Sequence, residues 1–324
     1  MSSEQGLPAH LRGAVVALGN FDGFHRGHQA VVGRAIERAH AQDRPAIVAT
    51  FDPHPKRLFQ PDAQPFRLTT LDQRQRLFAS AGADAMLVLQ FTPAFSLLSV
   101  SDFVSLLAVD LGVAGVVTGA DFTFGKGRSG GVDTLRIAGA PLGLRAETVA
   151  EVEDAEVGVI SSSRIRQALA AGDCAAATRL LSRPFAIESA VVRHERVRSD
   201  SALSVARLRL GAYLQPADGI YLAQIRLRDG RLSRGVVKFD TCHVLGGSGA
   251  MLDCGFPFDR SGDLRGQSME IALIKRLCGA QHFANFSALL SSMAMHGACD
   301  ATQWEDYVPL CDCMLAEPAS TLGR

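Results

Sequence analysis

Residues 18–28 read L-G-N-F-D-G-F-H-R-G-H, and this stretch decides the fold of the first half of the chain. It follows an apolar run at 14–18 that predicts a buried strand, and it precedes a segment whose apolar residues share one helical face. His25 and His28 lie three residues apart at the start of that helix and therefore on roughly one side of it. Helix amides and the helix dipole favour anions there, and Gly27 leaves room for close approach. The stretch predicts a polyphosphate site.

A simpler interpretation remains open for H-x-G-H taken alone, namely that the histidines only cap a helix or face solvent. Two observations favour the phosphate site. Residues 19–23 hold more turn formers than an ordinary strand-to-helix link needs. A second motif, I-S-S-S-R-I-R at 160–166, combines hydroxyl and guanidinium groups at another helix start. Two anion sites in one chain indicate a nucleotide ligand.

Alternation of strands and helices in the first half predicts an α/β fold with a doubly wound parallel sheet. The predicted strands are 14–18, 46–51, 85–90, 115–119 and a weaker run at 144–149, and the predicted helices include 71–81 and 101–111. Ligands of such sheets bind at the carboxyl ends of the strands. Motifs begin where three of these strands end, which predicts one shared site.

Four motifs stand in a fixed order: G-N-F-D-G-F-H-R-G-H at 19–28, T-F-D-P-H-P at 50–55, G-A-D-F-T-F-G at 119–125 and I-S-S-S-R-I-R at 160–166. Together with R-P-F at 183–185, they resemble the prokaryotic bifunctional riboflavin kinase/FMN adenylyltransferases, the FAD synthetases. The resemblance implies an H-x-G-H nucleotidyltransferase domain over 1–184 that moves AMP from ATP to FMN. It also implies a smaller, β-rich, barrel-like domain over 185–324.

The resemblance further implies a role for each group of motif residues. Catalysis is expected of His25, His28 and Arg164. Contacts to ATP are expected of Gly19, Asn20, Phe21, Asp22, Gly27, Ser161, Ser162 and Ser163. The FMN side is expected to involve His54, Asp121, Phe122, Phe124 and Arg128, although a purely structural role is nearly as well supported for His54 and Phe124. Magnesium is expected to be bound mainly through the phosphates of ATP, and no protein ligand is assigned to it.

Composition limits the other function classes. The chain has 324 residues, with 33 basic and 33 acidic side chains, so the balanced charge gives no basic footprint for nucleic acid. No apolar run is long enough to span a membrane, and residues 1–13 lack a signal-like apolar core. Seven cysteines, an odd number, fit a reduced compartment. We expect a cytoplasmic protein with small-molecule substrates, and the sequence does not indicate its oligomeric state.

The second half predicts short strands at 187–193, 203–210, 220–227, 235–239 and 269–275, then a helix at 284–295. Such strands suggest a small antiparallel barrel, which in the resembled family is the riboflavin kinase module. Parts of that module's framework are present, P-A-D-G-I-Y at 216–221 and G-D-L-R-G at 262–266. The family's P-T-A-N motif is missing from 197–207, and its catalytic glutamate falls near Asp253. The sequence therefore predicts that kinase activity is lost.

Other patterns have simpler explanations. The G-x-G-x-x-G at 125–130 has no strand leading directly into it, so we interpret it as a glycine loop rather than a dinucleotide fingerprint. A zinc site is disfavoured for His296, Cys299, Cys311 and Cys313, whose spacing matches no common zinc pattern well, and Cys242-His243 is left unassigned. Three functions stay open: an FMN adenylyltransferase, a transferase for a different phosphorylated acceptor, and a non-catalytic flavin-nucleotide sensor.

Overall fold

The computed structural model describes residues 6–156, 158–196, 203–239, 250–258 and 262–279. The chain divides into two compact units. The first comprises Met1–Gln64 with Thr69–Ser162, and the second comprises Pro65–Leu68 with Ser163–Arg324. The predicted helix at 284–295, the candidate zinc ligands at 296–313 and the Cys242-His243 pair lie outside the described residues.

The first unit is built on a five-stranded parallel sheet in the order β3-β2-β1-β4-β5. These strands are β1 (Val15–Leu18), β2 (Ala46–Asp52), β3 (Ala85–Gln90), β4 (Gly115–Gly119) and β5 (Arg145–Val149). The helices are α1 (Arg26–His40), α2 (Pro55–Phe59), α3 (Leu71–Ser80), α4 (Pro93–Ser96), α5 (Val100–Ser105) and α6 (Val132–Gly139). A short antiparallel pair, β6 (Glu153–Asp154) and β7 (Gly158–Val159), follows the sheet. The predicted parallel α/β fold is confirmed.

Alternate residues of β1 point into two separate cores. Val16 and Leu18 pack in a core that includes residues of α5 and α6, whereas Val15 and Ala17 pack in a core that includes residues of α1 and α3. Side chains alternate across a strand, so a strand covered on both faces is apolar throughout. This double burial explains why an unbroken apolar run marked β1 in the sequence.

One predicted helix differs in form. The helix expected at 101–111 begins at Val100 and is α-helical to Ser105, after which Leu106–Asp110 forms a π-helical turn. The backbone amide of Leu111 then bonds to the carbonyl of Leu106, five residues earlier. Such a change of winding leaves the 3.6-residue apolar pattern largely intact, so periodicity alone does not reveal it.

The second unit contains a closed six-stranded antiparallel barrel in the order β10-β11-β12-β9-β8-β13. Its strands are β8 (Phe185–Arg196), β9 (Leu203–Arg209), β10 (Gly219–Leu227), β11 (Leu232–Phe239), β12 (Met251–Pro257) and β13 (Ser268–Cys278). Two helices come before them, α7 (Ser162–Ala171), which starts at the boundary of the units, and α8 (Cys174–Leu181), which packs on β8 and β13. The predicted barrel is confirmed, with one strand more than predicted.

The added strand is β12, which the sequence analysis did not identify. It reads M-L-D-C-G-F-P, and its aspartate, glycine and proline disrupt the apolar pattern that identifies strands. Pairing with β9 on one side and β11 on the other nevertheless completes the barrel. Within the described residues, no helix combines the length and apolarity required to cross a bilayer.

Candidate active site

Three motif loops leave the first unit's sheet at one edge. β1 lies between β2 and β4, and all three strands are parallel, so their carboxyl ends point the same way. The loop after β1 carries the two histidines, the loop after β2 carries His54, and the loop after β4 carries Asp121 and Phe122. The strand order reverses between β1 and β4, and such a reversal is where open α/β sheets bind ligands.

The two histidines of H-x-G-H form a stacked pair at the start of α1. His25 is the N-cap residue, and its Nδ1 accepts a hydrogen bond of 3.3 Å from the backbone amide of His28. The ring centroids of His25 and His28 are 3.5 Å apart, with 20° between their planes. A neutral His25 whose Nδ1 accepts carries its proton on Nε2, which makes Nε2 a donor. The helix start thus combines an imidazole donor with the positive end of the helix dipole.

Gly27 allows the histidine ring to pack closely against the backbone. A Cβ at this position would lie 3.2 Å from both Nδ1 and Cε1 of His25 and 3.6 Å from the carbonyl oxygen of Ile160. The former distances are tighter than ordinary van der Waals contact. The glycine of the motif therefore allows His25 to lie against the first turn of α1.

The buried side chain of Asp22 stabilises the loop after β1. Its side chain is 2% exposed, and its Oδ1 accepts bonds from the backbone amide (3.0 Å) and the hydroxyl (3.2 Å) of Thr69. The Thr69 hydroxyl also accepts a bond of 2.9 Å from the amide of Gly23. The carbonyl oxygen of Asp22 accepts a bond of 2.8 Å from the hydroxyl of Ser162. Thr69, which sequence reasoning missed, fixes this loop; the only sequence signal was its place just before the N-cap Thr70 of α3.

The serine motif forms the beginning of α7. Ser161 comes just before the helix, Ser162 is its first residue, and Ser163 and Arg164 continue its first turn with exposed side chains. Arg166, the other arginine of that motif, is engaged elsewhere: its Nε donates to the carbonyl oxygen of Phe66 at 2.9 Å. Of the two arginines, Arg164 is thus the one on the turn that begins the helix.

Ion pairs tie α1 to its surroundings. Arg26, within the H-x-G-H motif, pairs with Asp154 of β6 at 2.9 Å. Glu147 of β5 accepts bonds from Arg34 (2.5 Å) and Arg38 (2.7 Å) of α1. Burial raises the pKa of Glu147, but the bonds from the two guanidinium groups outweigh it, so the pKa lies below its ordinary value. These contacts orient the helix that carries the histidines, and Asp154 is a second residue that motif reasoning missed.

The residues expected on the flavin side have defined local partners. His54 caps α2, since its Nδ1 accepts from the amide of Lys56 at 3.1 Å. Phe124 is 6% exposed and its ring stacks on Phe122, with centroids 6.0 Å apart. Arg128 Nε donates to the hydroxyl of Thr123 at 2.8 Å, within the glycine loop. Asp121 is exposed and comes directly before Phe122 in sequence.

Further phenylalanine rings, absent from the sequence-based set, extend this aromatic group. Phe59 at the end of α2 is 67% exposed, and its ring centroid lies 6.0 Å from that of Phe91. Phe91 contacts Phe95 in turn, at 5.6 Å. An exposed phenylalanine backed by other rings offers a flat apolar surface next to the polar loops.

The barrel of the second unit has a charged pair where the sequence predicted the loss of kinase groups. Arg207 of β9 and Asp253 of β12 are cross-strand partners. The guanidinium donates to both carboxylate oxygens, Nε to Oδ1 at 2.6 Å and Nη2 to Oδ2 at 2.9 Å. Asp253 is 9% exposed, and the bonds to it raise the pKa of Arg207 above its ordinary value. Each oxygen of this carboxylate therefore accepts a bond from Arg207.

The chain matches two family models and several known proteins. Residues 7–164 match the family model described as FAD synthetase, and residues 181–303 match the model described as riboflavin kinase. A bifunctional riboflavin kinase/FMN adenylyltransferase of Pseudomonas fluorescens is 35% identical over 88% of this chain and 91% of its own length. The protein of the same name from Escherichia coli K12 is 33% identical over the same shares.

A solved structure has the same fold over most of the chain. It is described as a macrolide-efflux protein from Streptococcus pneumoniae, is 26% identical, and covers 90% of this chain and 94% of its own, with a TM-score of 0.72. With the parallel sheet, the stacked histidines and the barrel established, these similarities lead to one assignment. The chain belongs to the family of bifunctional riboflavin kinase/FMN adenylyltransferases.

Proposed function

We propose that this chain transfers AMP from ATP to FMN, giving FAD and pyrophosphate. The observation that carries the proposal is the stacked pair of His25 and His28 at the start of α1, on the ligand-binding edge of the sheet. The relatives are named for FMN adenylyltransferase activity. Donors placed where charge develops are the groups that such a transfer uses. A binding protein has no need of groups that act on a transition state, so the pair favours the enzyme over the sensor.

In this reaction a phosphate oxygen of FMN attacks the α-phosphorus of ATP. A new P–O bond forms, the bond from the α-phosphorus to the bridging oxygen of the β-phosphate breaks, and pyrophosphate leaves with that electron pair. The protein must align two anions and stabilise the charge that develops on the leaving group. We assign this stabilisation to His25 and His28, with Arg164 on the leaving phosphates.

The remaining ATP contacts follow the loops described above. Gly19, Asn20 and Phe21 would line the adenosine, and the helix starts at Gly27 and at Ser161–Ser163 would supply donors to phosphate oxygens. Asp22 would act indirectly, because its Oδ1 already accepts hydrogen bonds from Thr69. Its contribution is therefore to the shape of the loop.

Magnesium would accompany ATP. In the described part of the chain, no cluster of three or more histidine, cysteine, aspartate or glutamate side chains could hold a metal ion. Mg²⁺ usually keeps few protein ligands and is bound mainly by phosphate oxygens, so we assign it to the phosphates of ATP. When bound, the ion would neutralise charge on the leaving pyrophosphate.

We assign the acceptor side to the loops after β2 and β4. His54, Asp121 and Arg128 would supply polar contacts to FMN, and Phe122 and Phe124 would supply apolar ones. The exposed ring of Phe59 adds a surface suited to a flat heterocycle. A flavin phosphate combines a planar apolar ring with an anion, which is the chemistry that this edge offers.

We further propose that residues 185–324 have lost riboflavin kinase activity. A carboxylate acts as a general base only if an oxygen can reach the substrate hydroxyl. In Asp253 both oxygens are bound by Arg207, and Arg207 lies in the segment where the family's P-T-A-N motif is absent. We place the functional boundary at 184/185 and the protein in the cytoplasm, without nucleic-acid or membrane partners.

The test is to incubate the purified protein with ATP, magnesium and either FMN or riboflavin, and to separate the flavins by chromatography. We expect FAD from FMN, and neither FMN nor FAD from riboflavin. FMN or FAD formed from riboflavin would show an active kinase, and the variant Asp253→Asn would then show whether this carboxylate serves it. ATP binding without FAD from FMN would contradict the main proposal and favour another acceptor or a sensor.

A further inference from the structure

A buried arginine of α3 lies beneath the nucleotide loop of the first unit. Arg74 is 2% exposed, and its Nη1 donates to the carbonyl oxygen of Asn20 at 3.1 Å and to the hydroxyl of Thr50 at 2.9 Å. The Thr50 hydroxyl donates in turn to the same Asn20 oxygen, at 2.8 Å. Two donors, one from α3 and one from β2, therefore meet at one carbonyl of the loop after β1.

Burying a guanidinium is unfavourable unless its hydrogen-bonding groups are satisfied, so charged side chains are rarely buried this fully. Arg74 is among the largest fully buried side chains of the described residues. An apolar side chain would fill the same space without the desolvation free energy of a buried charge. The groups to which Arg74 is hydrogen-bonded should therefore explain why an arginine is buried here.

The orientation of the Asn20–Phe21 peptide supplies that explanation. A trans peptide points its N–H opposite to its C=O. With the Asn20 oxygen turned towards Arg74, the amide of Phe21 is turned away from α3. Phe21 itself has a φ of +47°, in the left-handed region that a phenylalanine rarely adopts. Bonds from Arg74 and Thr50 offset the cost of this conformation.

The same helix supports the rest of the loop. Phe78 of α3 lies edge-on to Phe21, with centroids 5.9 Å apart, and to Phe24, at 5.1 Å. Phe24 is also in the left-handed region, with a φ of +46°. Phe21 in turn lies edge-on to the ring of His28, at 5.2 Å. A contiguous path of contacts therefore runs from α3 through the loop to the histidine pair.

We propose that Arg74 is a positioning residue for ATP: its buried guanidinium holds the Asn20–Phe21 peptide so that the loop presents its backbone amides to the nucleotide. This assignment rests on the proposed adenylyltransferase function, and it concerns the nucleotide side of the site alone. The loops assigned to the flavin follow β2 and β4, whereas this peptide follows β1.

The variants that test it are Arg74→Met, which keeps length and loses the donors, and Arg74→Lys, which keeps one charged donor. Arg76→Met is the matched control, because Arg76 lies on α3 with an exposed side chain. FAD formation is measured with ATP varied and then with FMN varied, and ATP binding is measured separately by calorimetry without acceptor.

For Arg74→Met we expect the Kd and KM for ATP to rise about tenfold, because a buried carbonyl loses a charged donor. The KM for FMN should change less than about twofold, since the flavin side is not held by this carbonyl. Arg74→Lys should recover part of the ATP affinity, and Arg76→Met should match the wild type. Unchanged ATP binding in Arg74→Met, or equal rises for ATP and FMN, would overturn the proposal.

Thr50→Val decides the question if Arg74→Met does not fold. It removes the hydroxyl that bonds both Arg74 and Asn20 while keeping side-chain volume, and we expect the Kd for ATP to rise about threefold. An unchanged Kd in this variant would overturn the role of the cluster. Wild-type protein that binds ATP but forms no FAD would contradict the proposed function alone, because the Kd for ATP would still test Arg74.

Discussion

The hydroxyl of Ser162 donates to the carbonyl oxygen of Asp22 at 2.8 Å, although 140 residues separate them in sequence. This bond joins the two motifs that the sequence suggested as parts of one nucleotide site. Asp22 follows β1, and Ser162 is the last residue of the first unit, so the bond lies within that unit.

Replacing Ser162 with alanine tests this link. We expect Ser162→Ala to lower the free energy of unfolding by about 1 kcal/mol, because the Asp22 carbonyl loses a partner. The KM for ATP should rise while the KM for FMN changes little. Thermal unfolding and steady-state kinetics measure both effects. Ser80→Ala, at the exposed end of α3, is the control and should alter stability by less than about 0.5 kcal/mol.

Gly27 and Gly33 provide a matched pair within α1. Gly33→Ala should stabilise the protein by about 0.5–1 kcal/mol with normal activity, because nothing lies within 4 Å of the added Cβ and alanine favours helix. Gly27→Ala should instead reduce kcat/KM about tenfold or more, because its Cβ displaces the ring of His25. Normal activity in Gly27→Ala would show that this ring position does not matter.

His25 combines a cap with a proposed catalytic group, and two variants separate them. His25→Ala should lose about 1 kcal/mol of stability, whereas asparagine is a good N-cap and His25→Asn should retain it. Both variants lack the imidazole and should lose about 10²-fold in kcat. Denaturant unfolding and FAD formation give the two readouts. A wild-type kcat in His25→Asn would show that His25 acts only as the N-cap of α1.

The barrel should lose stability in mild acid because of His194. Burial lowers the pKa of His194 below its ordinary 6.5, and the attraction of Asp263, 3.6 Å from Nδ1, does not offset this. The folded state thus binds this proton less tightly than the unfolded state. The contribution of His194 is complete above about pH 6.5 and is lost as the pH falls through the lower folded pKa.

Thermal unfolding of wild type and His194→Gln at about pH 7.5 and about pH 5.5 measures this effect. We expect acid to lower the wild-type midpoint more than that of the variant. His40→Gln, which removes an exposed histidine of α1, should respond to acid as the wild type does. An equal acid response in His194→Gln and wild type would contradict the assignment.

Local patterns predicted much of the first unit. A strand buried on both faces is apolar throughout, so β1 and β4 were visible, and the turn formers after β1 marked the loop before the histidines. Parallel strands end at one edge, so the three motif loops could be expected together. These predictions needed only periodicity and the chemistry of each motif.

Side-chain pairing between distant segments could not be predicted in this way. Thr69 bonds to Asp22 and Arg74 to Asn20, each about 50 residues away in sequence, and neither lies in a recognisable motif. β12 was missed because its polar and turn-forming residues are accommodated by the barrel's pairing rather than by local preference. The bond between Arg207 and Asp253 depends on the pairing of β12 with β9, so it could not be predicted without β12.

The packing around Gly27 also limits what the presence of the H-x-G-H motif implies about function. Its glycine is favoured by the close approach of the His25 ring, which is part of the protein itself. A descendant that had abandoned nucleotide chemistry would still be penalised for replacing it while His25 remained in place. The glycine therefore reflects the packing of the helix start, and its presence in the motif is not by itself a sign of nucleotide chemistry.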